Sequence, residues 1–460
     1  MIPMTLGEVA LIVGGKLLNS DGSELVTGEA FIDSRSVVTG GIFIALAGEQ
    51  VDGHDFAAAA VHDGAVAAIV TRPVGVAAVQ VLDAVVALQR LAFHVRRKLI
   101  DLKVIGITGS QGKTTTKDLL SAVLSKVAAT VAPPGSYNNE LGAPLTLLRC
   151  SYETRFAIIE MGARHQGDIE RLAEMAGVDV GAVLNIGSAH VGEFGSKDAL
   201  ASAKGELIQA LGADGIAILG SYDDSTLNLR SRASSRVTTF GERSDDGVWA
   251  DQIVLSAGRP NFTIHRGTES TKVSLAYIGR HQVANALAAT AVAAELGVSL
   301  SEIGKILSEA KPASRWRMEV SDRSSDGVTI INDAYNANPE SMTAAIDLLA
   351  EWAAEESRPT WAVLGQMHEL GASSAQAHHL IGRLVAQCRI DHLLVIGSGA
   401  VEILNGARDV GMVDVRLVPN ISTSLEVLRG EIEPRALVLI KASRAEGLEK
   451  LAHALVGGEK

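Results

Sequence analysis

Gly109-Ser-Gln-Gly-Lys-Thr-Thr-Thr116 decides the reading of the chain. It follows Val104-Ile-Gly-Ile-Thr108, a short apolar run that predicts a buried strand. After it, Leu119, Leu120, Val123, Leu124 and Val127 fall on one face, which predicts a helix from Lys113 to about Val127. Strand, glycine loop, lysine-threonine and helix is the layout of a phosphate cradle. Glycines let backbone N–H groups approach phosphate oxygens, and the helix N-terminus adds a favourable field. The pattern makes Gly109, Ser110, Gln111, Gly112, Lys113, Thr114 and Thr115 candidate ATP contacts. Lys113 would reach the terminal phosphates, and the Thr114 hydroxyl would sit on magnesium. The spacing is short of a standard Walker A loop, because Ile107 stands where the first glycine of that motif belongs.

Composition bounds the rest. The chain has 460 residues, enough for roughly three domains, and it is 47% hydrophobic and 4% aromatic. Richness in small aliphatic residues suits parallel strands buried under alanine-rich helices. The formal charge of −12 argues against general nucleic-acid binding, which needs a basic stripe. Two cysteines far apart, Cys150 and Cys388, read as indifferent thiols in a reducing compartment. With no lysine or arginine before Lys16 and no apolar run long enough to span a bilayer, the expectation is a cytoplasmic protein.

The pattern along the chain predicts an α/β protein of three domains, over 1–100, 101–312 and 313–460. The first is small, with strands at 29–35, 41–46 and 67–71 and helices at 56–62 and 85–99. The second is a P-loop domain with a mostly parallel sheet (strands at 156–161, 180–185 and 215–219), an antiparallel side sheet over 236–278 and an alanine-rich helix at 281–296. Lys311-Pro-Ala-Ser314 reads as a hinge. Beyond it, strands at 327–331, 360–364, 392–396 and 436–440 alternate with helices at 340–355 and 374–387. That is a Rossmann-like series without a dinucleotide fingerprint.

Several residues could carry chemistry. Glu160 ends an apolar strand beside the phosphate loop and could hold magnesium. His190 follows another buried strand and could serve a second ion or a substrate, although a lone loop histidine is more often polar surface. Lys204 is, on pattern alone, one lysine among many. Asn332-Asp-Ala-Tyr-Asn-Ala-Asn-Pro339 is either a turn cluster or a polar site wall at a strand's carboxyl end. Arg315 and Arg317 flank Trp316 at the hinge, where a guanidinium could reach a phosphate or merely bridge the hinge.

These stretches together resemble the Mur ligase family, the ATP-dependent enzymes that build the peptide of bacterial cell-wall precursors. The resemblance runs end to end. It includes Asp33-Ser-Arg35, Asp52-Gly-His-Asp-Phe56, the loop at 109–115, Asn138-Asn-Glu-Leu-Gly-Ala-Pro-Leu145, Glu160-Met-Gly162, Ala189-His190 and Ala203-Lys-Gly-Glu206. It continues through Gly279-Arg-His-Gln-Val-Ala-Asn285, the asparagine-rich stretch at 332–339 and Gly365-Gln-Met-His-Glu-Leu-Gly371. The last two look like the branch that adds D-alanyl-D-alanine to UDP-N-acetylmuramoyl-tripeptide.

The resemblance implies a UDP-sugar domain, an ATPase domain and a Rossmann-like domain. It implies that Lys113 holds the γ-phosphate and that Thr114 and Glu160 hold one magnesium. A second ion would go to His190 and to Lys204, the latter as an N-carboxylated lysine. Asn285, Arg317 and Asp333 would grip the nucleotide. Asp33, Ser34, Arg35, Asn138 and Asn139 would face the sugar-nucleotide, with Tyr335, Asn336 and Asn338 in the substrate wall. Two departures stand out: Gln282 replaces an asparagine of several relatives, and Ala442 and Ala445 break the usual glycine pattern around Lys441-Ala-Ser-Arg444. The expected partners are the two small-molecule substrates, with no nucleic acid and no membrane span, and the expected state is a monomer. A different amide ligase, such as a folylpolyglutamate-type enzyme, and a nucleotide-dependent switch are the competing readings.

Overall fold

The structure, a computed structural model, describes residues 1–48, 51–187 and 194–457. Three main sheets organise them. The first has five strands in the order Lys16–Leu18, Ala78–Gln80, Ala67–Val70, Ile42–Ile44 and Ala30–Phe31, all parallel except the first pair. Only Ala30–Phe31 of the expected 29–35 strand forms, because Asp33 turns the chain by accepting the Arg35 N–H at 3.0 Å. The Ala84–Lys98 helix begins at an Asp83 cap and ends on Arg96, Arg97 and Lys98, charges suited to its C-terminal dipole. Its apolar stripe, Leu88, Leu91 and Val95, lies in one continuous core with Leu147, Met161 and Ile169, so the first two regions share a hydrophobic interior.

The second sheet has nine strands. Thr130–Val131, Phe156–Glu160, Lys103–Thr108, Val180–Val183, Ile216–Gly220 and Arg236–Gly241 follow one another in parallel. The expected antiparallel side sheet is not separate. Val248–Ser256, Arg259–Arg266 and Glu269–Ser274 form an antiparallel meander that extends the same sheet, joined through a parallel pairing of Phe240 and Gly241 with Val248 and Trp249. A hairpin needs only a tight turn, so the short spacing of these strands dictates the meander but not whether it stands alone.

Lys103–Thr108 lies between Phe156–Glu160 and Val180–Val183, and the chain leaves it first to one side and then to the other. In an open parallel sheet the crevice at such a switch point, beyond the carboxyl ends of the strands, is where ligands bind. The Lys113–Leu124 helix leaves from there and packs against Gln282–Glu295, whose alanines are buried on nearly every side and permit close approach.

The third sheet has six strands in the order Glu319–Arg323, Val328–Asn332, Leu437–Lys441, Thr360–Leu364, His392–Ile396 and Val415–Val418, antiparallel only at the first edge. Helices cover both faces, Pro339–Glu356 and Ser374–Gln387 on one and Ile421–Glu431 and Glu449–Val456 on the other. Among the described residues, no helix is long and apolar enough to cross a membrane.

Candidate functional site

A cavity of about 420 Å³ opens between the second and third regions, over the carboxyl ends of both parallel sheets. Ser110, Gln111, Gly112, Lys113, Thr114 and Thr115 form its floor. Gly112 is the N-cap of the Lys113–Leu124 helix with φ 82°, a conformation that favours glycine. A Cβ there would also lie 2.2 Å from Asn285 Oδ1, so no larger residue fits without displacing that side chain. Asn185, just past the neighbouring strand, pins the loop. Its backbone carbonyl accepts the Ser110 N–H at 3.0 Å, and its side-chain oxygen accepts the Gln111 N–H at 3.0 Å.

The Lys113 ammonium donates to the Gly109 carbonyl at 2.7 Å. Burial pulls its pKa down, Glu160 pulls it up, and Arg317 pulls it down again. Glu160 is buried at the end of its strand. One carboxylate oxygen accepts the Thr114 hydroxyl at 2.9 Å and the other accepts the Asn138 amide at 3.0 Å. Ser136 Oγ lies 2.8 Å from Thr114 Oγ1. Two hydroxyls against a carboxylate make an all-oxygen donor set, the kind magnesium prefers, so these residues fit that ion. Among the described residues no group of three or more His, Cys, Asp and Glu side chains converges as a metal site. His190 lies outside the described residues.

Lys204, on the Lys197–Gln209 helix, is 3% exposed. Burial first, and the charge of Lys113 second, push its pKa well down.

The opposite wall comes from the third region. Arg317 stacks over the Tyr335 ring at 3.9 Å and donates to Ser136 Oγ at 2.6 Å, linking the two regions. Arg315, its expected companion, is exposed. Asp333 accepts the Met318 N–H at 3.0 Å through Oδ1 and the buried Lys441 ammonium at 2.5 Å through Oδ2. Lys441 also donates to the Asn336 carbonyl at 2.8 Å. Tyr335, Asn336 and Asn338 line this wall, whereas Asn285 lines the cavity from the second region, beside Gln282, whose side-chain oxygen accepts the Asn285 amide at 2.7 Å. Asn338 has a structural task as well: it caps the Pro339–Glu356 helix through the Ser341 N–H at 2.9 Å.

Other expected residues lie apart from this cavity. Asn139 accepts the Gly142 N–H at 3.0 Å at the start of the Gly142–Leu147 helix. Asp33 and Arg35 pair with each other at 2.7 Å on the first region's surface, with Ser34 between them, and the Arg35 hydrogen bonds draw the Asp33 pKa down to about 2. Conversely, the cavity contains Ser136, Arg164, His281, Lys441 and Arg444, none of which was assigned a role there from sequence. For Lys441 a signal existed, a lone lysine at the end of the apolar run Leu437-Val-Leu-Ile440.

Comparison with known proteins places this geometry among relatives. Residues 30–100 match the Mur ligase family catalytic domain, residues 107–293 the Mur ligase middle domain, and residues 316–444 the Mur ligase glutamate ligase domain. The UDP-N-acetylmuramoyl-tripeptide–D-alanyl-D-alanine ligase of Mycobacterium tuberculosis is 41% identical, over 100% of this chain and 99% of its own. A crystal structure of MurF from Acinetobacter baumannii superposes with a TM-score of 0.88 at 34% identity, covering 99% of each chain. MurF ligase from Thermotoga maritima, solved in complex with ADP, superposes with a TM-score of 0.80 at 28% identity, covering 94% of this chain and 97% of that one.

Proposed function

The chain belongs to the Mur ligase family, and from that premise we propose that it is an ATP-dependent amide ligase. It joins D-alanyl-D-alanine to UDP-N-acetylmuramoyl-tripeptide and yields UDP-N-acetylmuramoyl-pentapeptide, ADP and phosphate for peptidoglycan synthesis. The observation that carries the reading is the cavity in which the Gly112-Lys113-Thr114 helix mouth and Glu160 face Arg317 and Asp333 across a domain boundary.

The chemistry follows from a difficulty. A peptide carboxylate is a poor acyl donor because oxide is a poor leaving group. Attack of that carboxylate on the γ-phosphorus of ATP expels ADP and leaves an acyl phosphate. The neutral amine of D-alanyl-D-alanine then attacks the acyl carbon, phosphate departs, and the amine gives up a proton as the amide forms. Lys113 and Arg317 approach the phosphate from opposite walls and offset the charge that spreads over the transferring group. The loop N–H groups, held in place by Asn185, fix the phosphate chain. Burial between two domains keeps water from the acyl phosphate.

Thr114 and Glu160 are our ligands for one magnesium ion. His190 and Lys204, the latter N-carboxylated, are our ligands for a second. Bound there, magnesium would withdraw charge from the phosphate oxygens during transfer. The depressed basicity of Lys204 supports its carboxylation, since only a free amine adds carbon dioxide. Asn285, Asp333 and the loop residues would hold the nucleotide. Asp33, Ser34, Arg35, Asn138 and Asn139 would serve the sugar-nucleotide, and Tyr335, Asn336 and Asn338 the substrate wall. We place the reaction in the cytoplasm, where ATP is available.

The test is direct. Full-length protein given ATP, magnesium, UDP-N-acetylmuramoyl-tripeptide and D-alanyl-D-alanine yields the pentapeptide mass. With ¹⁸O in the tripeptide carboxylate, label appears in the released phosphate. Product without labelled phosphate would refute the acyl phosphate, and absence of product would refute the ligase reading.

A further inference from the structure

The segment that joins the second region to the third is fastened down rather than slack. Three of its residues, each three positions from the last, are held by the ATP-site domain. The buried Tyr277 hydroxyl donates to the Lys311 carbonyl at 3.0 Å. Ser314 Oγ donates to Asp118 Oδ2 at 2.6 Å. Arg317 donates to Ser136 Oγ at 2.6 Å.

The middle anchor does more than tether. Asp118 Oδ1 pairs with the Lys117 ammonium at 2.8 Å, and both side chains are buried, 8% and 2% exposed. Lys117 also donates to the carbonyls of Pro133 at 2.8 Å and Gly135 at 3.0 Å. The next residue is Ser136, which meets both Thr114 and Arg317. One buried ion pair on the phosphate-loop helix therefore fixes the connecting segment and the loop that receives the guanidinium.

The backbone around Arg317 is strained. Trp316 has φ 60° and Met318 φ 53°, left-handed values that large side chains rarely adopt. Such strain persists only where the surroundings over-determine it. Here the third region supplies the constraint: the Trp316 carbonyl accepts the Tyr335 N–H at 3.1 Å, the Met318 N–H donates to Asp333, and Arg444 lies 4.1 Å over the Trp316 ring. Arg317 is thus aimed by two clamps, one from each domain.

We propose that Asp118, acting through Ser314, is a positioning residue for phosphoryl transfer that holds the connecting segment so that the Arg317 guanidinium reaches the ATP site when the domains are closed. Asp118 does not line the cavity, so its effect passes through the segment and not through contact with the nucleotide. The inference rests on the proposed role of Arg317 in gripping ATP.

A double-mutant cycle on the full-length enzyme tests it, with ATP turnover measured in the presence of both substrates. Ser314→Ala lowers kcat by about tenfold, and Ser314→Thr, which keeps the hydroxyl, restores it. Arg317→Ala lowers kcat by about a hundredfold or more. The double variant is no slower than Arg317→Ala alone, because Ser314 has nothing left to position. Thermal midpoints of the Ser314 variants stay near that of the parent, which separates positioning from unfolding. Losses that multiply in the double variant, or a fully active Ser314→Ala, overturn the proposal while leaving the ATP reading of Arg317 intact. A fully active Arg317→Ala overturns that reading itself and the proposal with it.

Discussion

The Thr114 hydroxyl donates to Glu160 at 2.9 Å, so the first turn of the phosphate-loop helix is bonded to the end of the adjacent strand. The Asn138 amide occupies the other carboxylate oxygen. Both donors require an anion with two acceptor oxygens. Glu160→Gln supplies one oxygen and one amide, so one of the two donors meets an N–H instead. With one charge also removed from the proposed magnesium site, turnover should fall by about a hundredfold or more, and the magnesium concentration for half-maximal turnover should rise. Magnesium titrations of parent and variant check both, and an unchanged titration would take Glu160 out of the metal site.

Lys441 and Asp333 form a buried ion pair at the cavity, with side chains 2% and 13% exposed. Removing one partner of such a pair leaves an uncompensated charge and costs about 3–5 kcal/mol. Lys441→Met should therefore destabilise the chain by that order in chemical unfolding. Adding Asp333→Asn should recover much of the loss, since the stranded carboxylate is then gone. Activity should not return, because Lys441 and the Asp333 charge both face the cavity and both are then missing from it.

The parts visible from sequence were those with a local cause. Buried strands such as Thr360–Leu364 and His392–Ile396 announce themselves as apolar runs, and the phosphate loop by its glycines and lysine. The asparagine stretch at 332–339 read as turn or as site wall; in the structure Asn338 caps a helix while Asn336 and Tyr335 line the cavity. Residues whose meaning comes from distant partners were silent. Asn185 matters because its strand lies beside the phosphate loop, and Ser136 because Arg317 reaches it from another domain. Left-handed backbone at Trp316 and Met318 leaves no trace in residue type, since glycine or asparagine would be the usual sign.

His281 offers a titration. Burial drives its pKa down to about 4, with Lys441 lowering it and Asp333 opposing. The unfolded chain holds the proton up to about pH 6.5, so between about 6.5 and 4 it binds more protons than the folded one. Stability therefore falls as pH drops through that window, at a slope of at most about 1.4 kcal/mol per pH unit from this group, and levels off below it. His281→Asn should flatten the unfolding free energy over the same interval relative to the parent. Parallel curves for the two proteins would show that His281 is protonated freely in the folded state.

Lys204 makes the sharpest demand on the proposed chemistry. It is nearly fully buried, and the neighbouring charge of Lys113 works against its own. Keeping an ammonium there is costly, whereas a carbamate would present an anion to Lys113 and oxygen atoms to a metal. Lys204→Ala should therefore cut turnover by about a hundredfold or more, and short carboxylic acids such as acetate should restore part of it by supplying the missing oxygens. Removal of carbon dioxide from the buffer should slow the parent enzyme and leave Lys204→Ala unaffected. A ¹³C-carbonate signal at the lysine of the parent, absent in the variant, provides a readout independent of turnover. Loss of activity without rescue, together with no carbonate signal, would make Lys204 a packing residue of its helix and leave the second magnesium ion without its proposed ligand.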